Sequence, residues 1–179
     1  MQTQQKTKSN SKETAIDSPV TVCFVCTGNT CRSPMAQALV NDMTRTPPVC
    51  SMSDIENILN KKNIRATSAG LCAGGAPISK YALEALEKAG IRSLPDNDYK
   101  THISRGIDIE TVQTCDLIIG MTCAHAMNLI AAFPAYASKI SCMPTDIPDP
   151  YGGNATDYQA CLAEIKKGIK QLFFREDME

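Results

Sequence analysis

Val20-Thr-Val-Cys-Phe-Val-Cys26, followed at once by Thr27-Gly-Asn-Thr-Cys-Arg-Ser-Pro34, is the stretch from which the fold can be read. Its first seven residues are apolar and rich in β-branched side chains, the pattern of a strand buried on both faces. Thr27, Gly28 and Asn29 break that run. Ser33 suits a helix N-cap and Pro34 a first helical position, where a missing amide is not needed. The helix that follows carries Met35, Ala36, Leu39, Val40 and Met43 on its apolar face. A strand that passes through a short glycine-containing loop into a helix is also an anion cradle. Loop amides can converge there on the anion, and the helix start adds partial positive charge.

Strands and helices keep alternating beyond this point. Prolines 47 and 48 predict a turn within 44–52, and a helical segment follows at about 53–62. Ile64–Ser68 reads as a second strand, 72–78 as a Gly- and Pro-rich loop, and Ser79–Ala89 as a helix ended by Gly90. A short helix near Ile107–Thr114 precedes a buried strand at Asp116–Met121. Then come a helix over 123–132, a strand at Lys139–Met143, and a loop at Asp146–Gly153. The final helix spans about Ala155–Phe174, with Tyr158, Cys161, Leu162, Ile165, Ile169 and Leu172 at helical spacing. The expected fold is α/β, a three-layer sandwich: a four-stranded parallel sheet with helices on both faces. Ligands bind such sheets at the carboxyl ends of the strands, and Cys26 stands at one.

Composition narrows the function classes. The 179 residues suit one domain, taken as 20–179, behind a polar, aperiodic tail at 1–19 that is expected to be disordered. Eighteen Lys and Arg against nineteen Asp and Glu give a net charge of −1, which offers no electrostatic case for nucleic acid or a membrane surface. No 18 consecutive residues are apolar, so no spanning helix is expected. Nine cysteines accompany a first segment without an apolar signal core. Reduced thiols and a cytoplasmic location are therefore expected.

Within the cradle, Cys26 stands at the entrance and Arg32 six positions later. Arg32 can grip two phosphate oxygens at once, and a thiolate facing a bound phosphorus is equipped for covalent phosphoryl transfer. Competing readings fit less well. A dinucleotide fingerprint needs more glycines than Gly28, and a Walker loop needs Gly-Lys-Ser/Thr. Cys23 and Cys26 form a C-x-x-C, but Cys23 lies inside the strand and no second pair is near. Asp149, stiffened by Pro148 and Pro150, is the candidate general acid, with Asp146 as the fallback; on spacing alone, a solvated turn aspartate is an equal reading of Asp149.

The run Val25–Ala36 resembles the signature of the low-molecular-weight protein phosphatases. The resemblance continues through Thr67-Ser-Ala-Gly70, His102-Ile-Ser-Arg105, Asp116–Met121 and Asp149-Pro-Tyr151, over about residues 20–175 with one longer stretch at 44–63. It implies a cofactor- and metal-independent hydrolase, expected to be monomeric, acting on phosphorylated proteins. It implies that Cys26 is the nucleophile, Arg32 the phosphate clamp, and Asp149 first the acid and then the base for water. Thr27, Gly28, Asn29, Thr30, Cys31, Arg32 and Ser33 would hold the phosphate, with Tyr151 at the substrate. Asn29, Ser33, Ser68 and His102 match positions that brace the loop, and Ser33 can both cap its helix and hydrogen-bond the Cys26 thiolate. Cys31 matches a cysteine that can trap an oxidised nucleophile as a disulfide.

The resemblance divides at the substrate. Its tyrosine-specific branch commonly carries isoleucine at the position of Thr30, an aspartate at that of Thr122, and often a rim tryptophan. This chain has Gly152 and Gly153 after Tyr151 and no tryptophan. Thr30, Met121-Thr122 and Asp149-Pro-aromatic-Gly-Gly are similar to the protein-arginine phosphatase branch, although that branch often has Phe at the position of Tyr151. Phosphoarginine is thus the expected substrate, with phosphotyrosine as the alternative. Arsenate reduction lacks the closely spaced relay cysteines that it needs.

Overall fold

The apolar run forms a strand, β1 (Val20–Cys26), in a parallel sheet with β2 (Ile64–Gly70), β3 (Leu117–Gly120) and β4 (Ile140–Cys142), in the order β2-β1-β3-β4. This computed structural model describes residues 19–44 and 64–173. The tail before Pro19, the turn and helical segment expected between 45 and 63, and the expected helix end at Phe174 lie outside them. The helices are α1 (Arg32–Met43), α2 (Lys80–Lys88), α3 (Ile109–Thr114), α4 (Cys123–Ala132) and α5 (Ala155–Phe173), with 3₁₀ turns at Tyr99–Thr101 and Pro134–Lys139.

The alternation of β1 explains the layers. Val22, Phe24 and Cys26 point into one core with Met35, Leu39 and Val40 of α1, Leu86 of α2, and Ile165 and Ile169 of α5. Cys23 and Val25 point into the other with Val112 of α3, Leu129 of α4, Ile118 and Ile140. A strand covered on both faces must be apolar throughout, which is why its sequence shows no alternation. The expected α/β sandwich is the fold observed.

Local boundaries shift for identifiable reasons. The short helix starts at Ile109, after Ile107, because the Asp108 carboxylate accepts from Thr111 N at 2.7 Å and caps it. β4 is shorter than Lys139–Met143 because residues 134–139 wind into 3₁₀ turns first. β2 continues past Ser68 to Gly70, pairing residue for residue with Cys26 at its end.

Register brings the strand ends together. Gly70 lies beside Cys26 and Gly120 beside Val25, so the connections leaving β1, β2 and β3 meet at one edge. Two of these positions tolerate no side chain. A β-carbon on Gly70 would lie 2.8 Å from Thr27 O and 3.0 Å from Asn29 N, and one on Gly120 would lie 2.7 Å from Ala126 N. Among the described residues, no helix is long and apolar enough to cross a membrane.

Candidate active site

Cys26 ends β1 with its sulfur buried beneath the loop. Asn29 N donates to Cys26 Sγ at 3.3 Å, and Ser33 Oγ lies 3.1 Å from it. Ser33 does not cap its helix as expected. The helix begins two residues earlier than expected, at Arg32, and the Ser33 hydroxyl is turned inward to Cys26 and to the Ala69 carbonyl at 3.3 Å. Pro34 accordingly sits at the third helical position, still within the turn whose amides lack helical acceptors. A thiolate on Cys26 can accept both the Asn29 amide and the Ser33 hydroxyl proton.

Asn29 keeps the loop in shape. Its φ of 55° is the left-handed conformation, which asparagine enters more readily than other side chains. It is fully buried, and every polar group of its side chain is used. Nδ2 donates to Ser33 Oγ (2.9 Å) and Ser68 Oγ (3.0 Å), while Oδ1 accepts from Arg105 N (3.0 Å). His102 Nε2 donates to the Asn29 carbonyl at 2.8 Å, and burial lowers the His102 pKa, partly opposed by that hydrogen bond. The imidazole is therefore a neutral donor. The Ser68 hydroxyl in turn donates a hydrogen bond to Gln37 Oε1 at 2.7 Å.

Arg32 Nη2 meets Asp149 Oδ2 at 2.6 Å, and Nη1 donates to the Ile147 carbonyl at 3.2 Å. Its buried Nε–H finds no acceptor among the described residues. A buried donor left this way is costly unless an anion meets it. Cys26, Thr27, Gly28, Thr30, Cys31, Arg32, Ala76, Asp149 and Tyr151 line one cleft of about 360 Å³. Asp149 Oδ1 accepts from Tyr151 N at 3.2 Å, which aims the carboxylate, and the Tyr151 ring stands on the rim, 78% exposed. Asp146 is engaged elsewhere: it accepts from the Cys123 amide at the start of α4 (2.7 Å) and does not line this cleft.

Cys31 Sγ lies 3.3 Å from both Ser79 Oγ and Tyr158 OH, and 3.5 Å from Thr30 Oγ1. Burial, with Cys31 next in effect, pushes the Tyr158 phenol up to about 12. The Cys23–Cys26 pair fails as a redox or metal pair, because strand alternation places the two side chains in cores on opposite faces of the sheet.

Three contributors escaped the sequence reading. Arg105 reaches across β2, donating from Nε to the Ser68 carbonyl (3.1 Å) and from Nη2 to Thr67 Oγ1 (2.8 Å), while its amide holds Asn29. Gln37 ends the Asn29–Ser68 chain. His125 places Nε2 3.0 Å from Thr27 Oγ1 and Nδ1 2.6 Å from Thr122 Oγ1. Only this last had a local signal: Thr122, three positions ahead of His125 at a helix start, is an N-cap pattern. Its contact with the loop spans 98 residues of sequence.

A thiol, a clamping guanidinium and a carboxylate thus share one cleft over the first turn of a helix. That set can attack a phosphorus atom, neutralise its oxygens and hand a proton to what leaves. Comparisons with known proteins agree. The family model described as "Low molecular weight phosphotyrosine protein phosphatase" matches residues 21–179. The protein-arginine-phosphatase of Bacillus subtilis is 30% identical over 159 residues, covering 84% of this chain and 93% of that protein. An arginine phosphatase structure from Geobacillus stearothermophilus superposes with a TM-score of 0.69 at 29% identity, over 86% of this chain and 90% of that one. A low molecular weight protein tyrosine phosphatase from T. tengcongensis gives 0.71 at 32%, over 86% and 97%. Sequence, fold and cleft lead to one conclusion: the chain belongs to the low molecular weight phosphotyrosine protein phosphatase family and is a cysteine-based protein phosphatase.

Proposed function

We propose that this phosphatase hydrolyses phosphoarginine in cytoplasmic proteins through a phosphocysteine on Cys26. Phosphate binding draws on Arg32, whose buried Nε–H lacks a protein acceptor among the described residues and whose Nη2 is already paired with the carboxylate that must act next. In the first step the Cys26 thiolate attacks phosphorus, the P–N bond breaks, and Asp149 donates its proton to the departing guanidine nitrogen. In the second, the Asp149 carboxylate takes a proton from water, whose oxygen attacks phosphorus. The S–P bond breaks and phosphate leaves with the thiolate restored. Asn29 N and Ser33 Oγ, both on the sulfur, stabilise it as a leaving group. If Cys26 is oxidised to the sulfenic acid, the Cys31 thiol can displace water from it to give a disulfide, provided that its sulfur leaves Ser79 and Tyr158.

The observation that carries the choice of arginine is Thr30, which lines the cleft beside Cys26 and Arg32. Its hydroxyl meets only the weak thiol of Cys31, at 3.5 Å, among the described residues. A hydroxyl with unused capacity suits a polar phosphoguanidine better than the flat face of a phenyl ring. The arginine phosphatases among the relatives support the same direction.

Turnover of phosphoarginine and phosphotyrosine peptides, measured side by side, tests this. A higher kcat/KM on phosphoarginine is expected, and preference for phosphotyrosine would overturn it. Thr30→Ile should move the ratio of the two toward phosphotyrosine by about tenfold, the worth of one hydrogen bond to a charged group.

A further inference from the structure

Of the two histidines in the chain, His102 serves the underside of the loop, while His125 has no part in the steps above. Yet His125 is only 7% exposed, and both of its ring nitrogens are engaged. Thr122, the N-cap of α4, accepts from the His125 amide at 3.3 Å and lies 2.6 Å from Nδ1. The far side of the ring reaches Thr27 Oγ1 at 3.0 Å. A rigid helix start is thereby coupled, through one buried imidazole, to the first residue after the nucleophile.

Thr27 itself is exposed and lines the cleft, whereas Cys26 and Arg32 lie buried at its floor. Phosphorus must meet the floor, so the group beyond the scissile bond leaves past Thr27. The Thr27 hydroxyl retains an acceptor lone pair in either histidine tautomer. If Nε2–H donates to it, one lone pair is used and one remains; if it donates to Nε2, both remain. A guanidinium presents N–H donors and no acceptor, and a phenyl ester presents no donor there at all. The groups facing the ring are Arg32 from α1, and Asp149 and Asp146 from the segment after β4. Burial, then Arg32, holds the imidazole below its ordinary pKa against the two carboxylates, which disfavours a second cation alongside Arg32 near an arriving guanidinium.

We propose that His125 is a specificity-determining residue that acts through Thr27, holding the Thr27 oxygen at the cleft mouth as the acceptor for N–H groups of a guanidine leaving group. This rests on the phosphoarginine reading. The readout is the ratio of kcat/KM on phosphoarginine to kcat/KM on p-nitrophenyl phosphate, whose common phosphoryl part cancels changes in the cradle.

Thr27→Val is expected to lower that ratio about tenfold, and His125→Ala to lower it to a similar extent. The double variant should fall no further than Thr27→Val alone, because the two act as one unit. His125→Gln, whose amide can still reach Thr27, should recover most of the ratio. Inhibition by inorganic phosphate, measured on each variant, checks that the cradle still forms; if His125→Ala does not fold, Thr27→Val and His125→Gln carry the test. A ratio within twofold of wild type in Thr27→Val, a double variant whose losses multiply, or no recovery in His125→Gln would each overturn the proposal. The substrate reading is tested separately by the wild type: if it does not turn over phosphoarginine, that reading falls first and this one with it.

Discussion

Replacing Asn29 by alanine should remove the shape of the phosphate loop while leaving every reacting group in the chain. The change deletes three side-chain hydrogen bonds, to Ser33, Ser68 and Arg105, at a site of zero exposure. At about 1 kcal/mol each, they account for roughly 3 kcal/mol. The backbone there has a φ of 55°, and alanine adds roughly 1 kcal/mol for holding a conformation that asparagine tolerates better. The expected loss is therefore about 4 kcal/mol, which lowers the melting temperature of a domain of this size by roughly 8–16 °C. Catalysis should suffer as well, because the Asn29 amide and the Ser33 hydroxyl that hold the Cys26 sulfur are both placed by this side chain. Calorimetry or urea unfolding reads the first effect, and burst and steady-state kinetics the second. Asn29→Gly separates the causes: it loses the same hydrogen bonds without the left-handed strain, and should be about 1 kcal/mol less damaging than alanine. A melting temperature for Asn29→Ala within 2–3 °C of wild type, which corresponds to roughly 1 kcal/mol, would refute the reasoning.

Other outcomes follow from the same geometry. Asp149→Asn keeps the size of the side chain but cannot transfer a proton, so kcat should fall about 10²–10⁴-fold and the pH dependence due to this group should vanish; a near-normal pH–rate profile would remove Asp149 from the chemistry. Gly70→Ala puts a methyl group 2.8 Å from Thr27 O and 3.0 Å from Asn29 N, backbone atoms that cannot swing aside. A loss of about 1–3 kcal/mol in unfolding, together with weaker inhibition by phosphate, is expected, and unchanged values for both would show that the loop yields freely. Both histidines have pKa values lowered by burial, so the unfolded chain binds their protons more readily. Their contribution to stability is present above the ordinary histidine pKa of about 6.5 and is lost as pH falls below it through their folded values. Urea unfolding at pH 7.5 and 5.5 should show that loss, and His102→Gln should reduce it; an identical pH slope in the variant would count against a buried neutral His102.

Much of the site was legible because it is local. The strand, the loop and the start of α1 are contiguous, so the separation of Cys26 from Arg32 and the nature of the turn between them can be read along the chain. Asp149 was singled out by the prolines on either side, which stiffen its segment, but spacing left a solvated turn aspartate as an equal reading and the resemblance chose between them. Ser33 shows where local reading stops. Of the two roles expected of Ser33, the hydrogen bond to the Cys26 sulfur is found, but the cap is not: the sulfur and the Ala69 carbonyl take the hydroxyl, and the helix begins two residues early. The Cys23-x-x-Cys26 spacing likewise loses its meaning once the residues lie in a strand, whose period of two turns side chains three apart to opposite faces.

The sequence by itself therefore determined the layered α/β architecture and singled out the candidate nucleophile and clamp, because these depend on periodicity or short spacing; the choice of the acid came from the family resemblance. The tertiary structure decided what surrounds them: that Gly70 must lack a side chain, that Gln37 and Arg105 complete the support of Asn29, and that His125 holds Thr27. These contacts join segments separated by tens of residues. They exist only because the parallel register brings the carboxyl ends of β1, β2 and β3 to one edge, a property of the assembled sheet and of no segment within it.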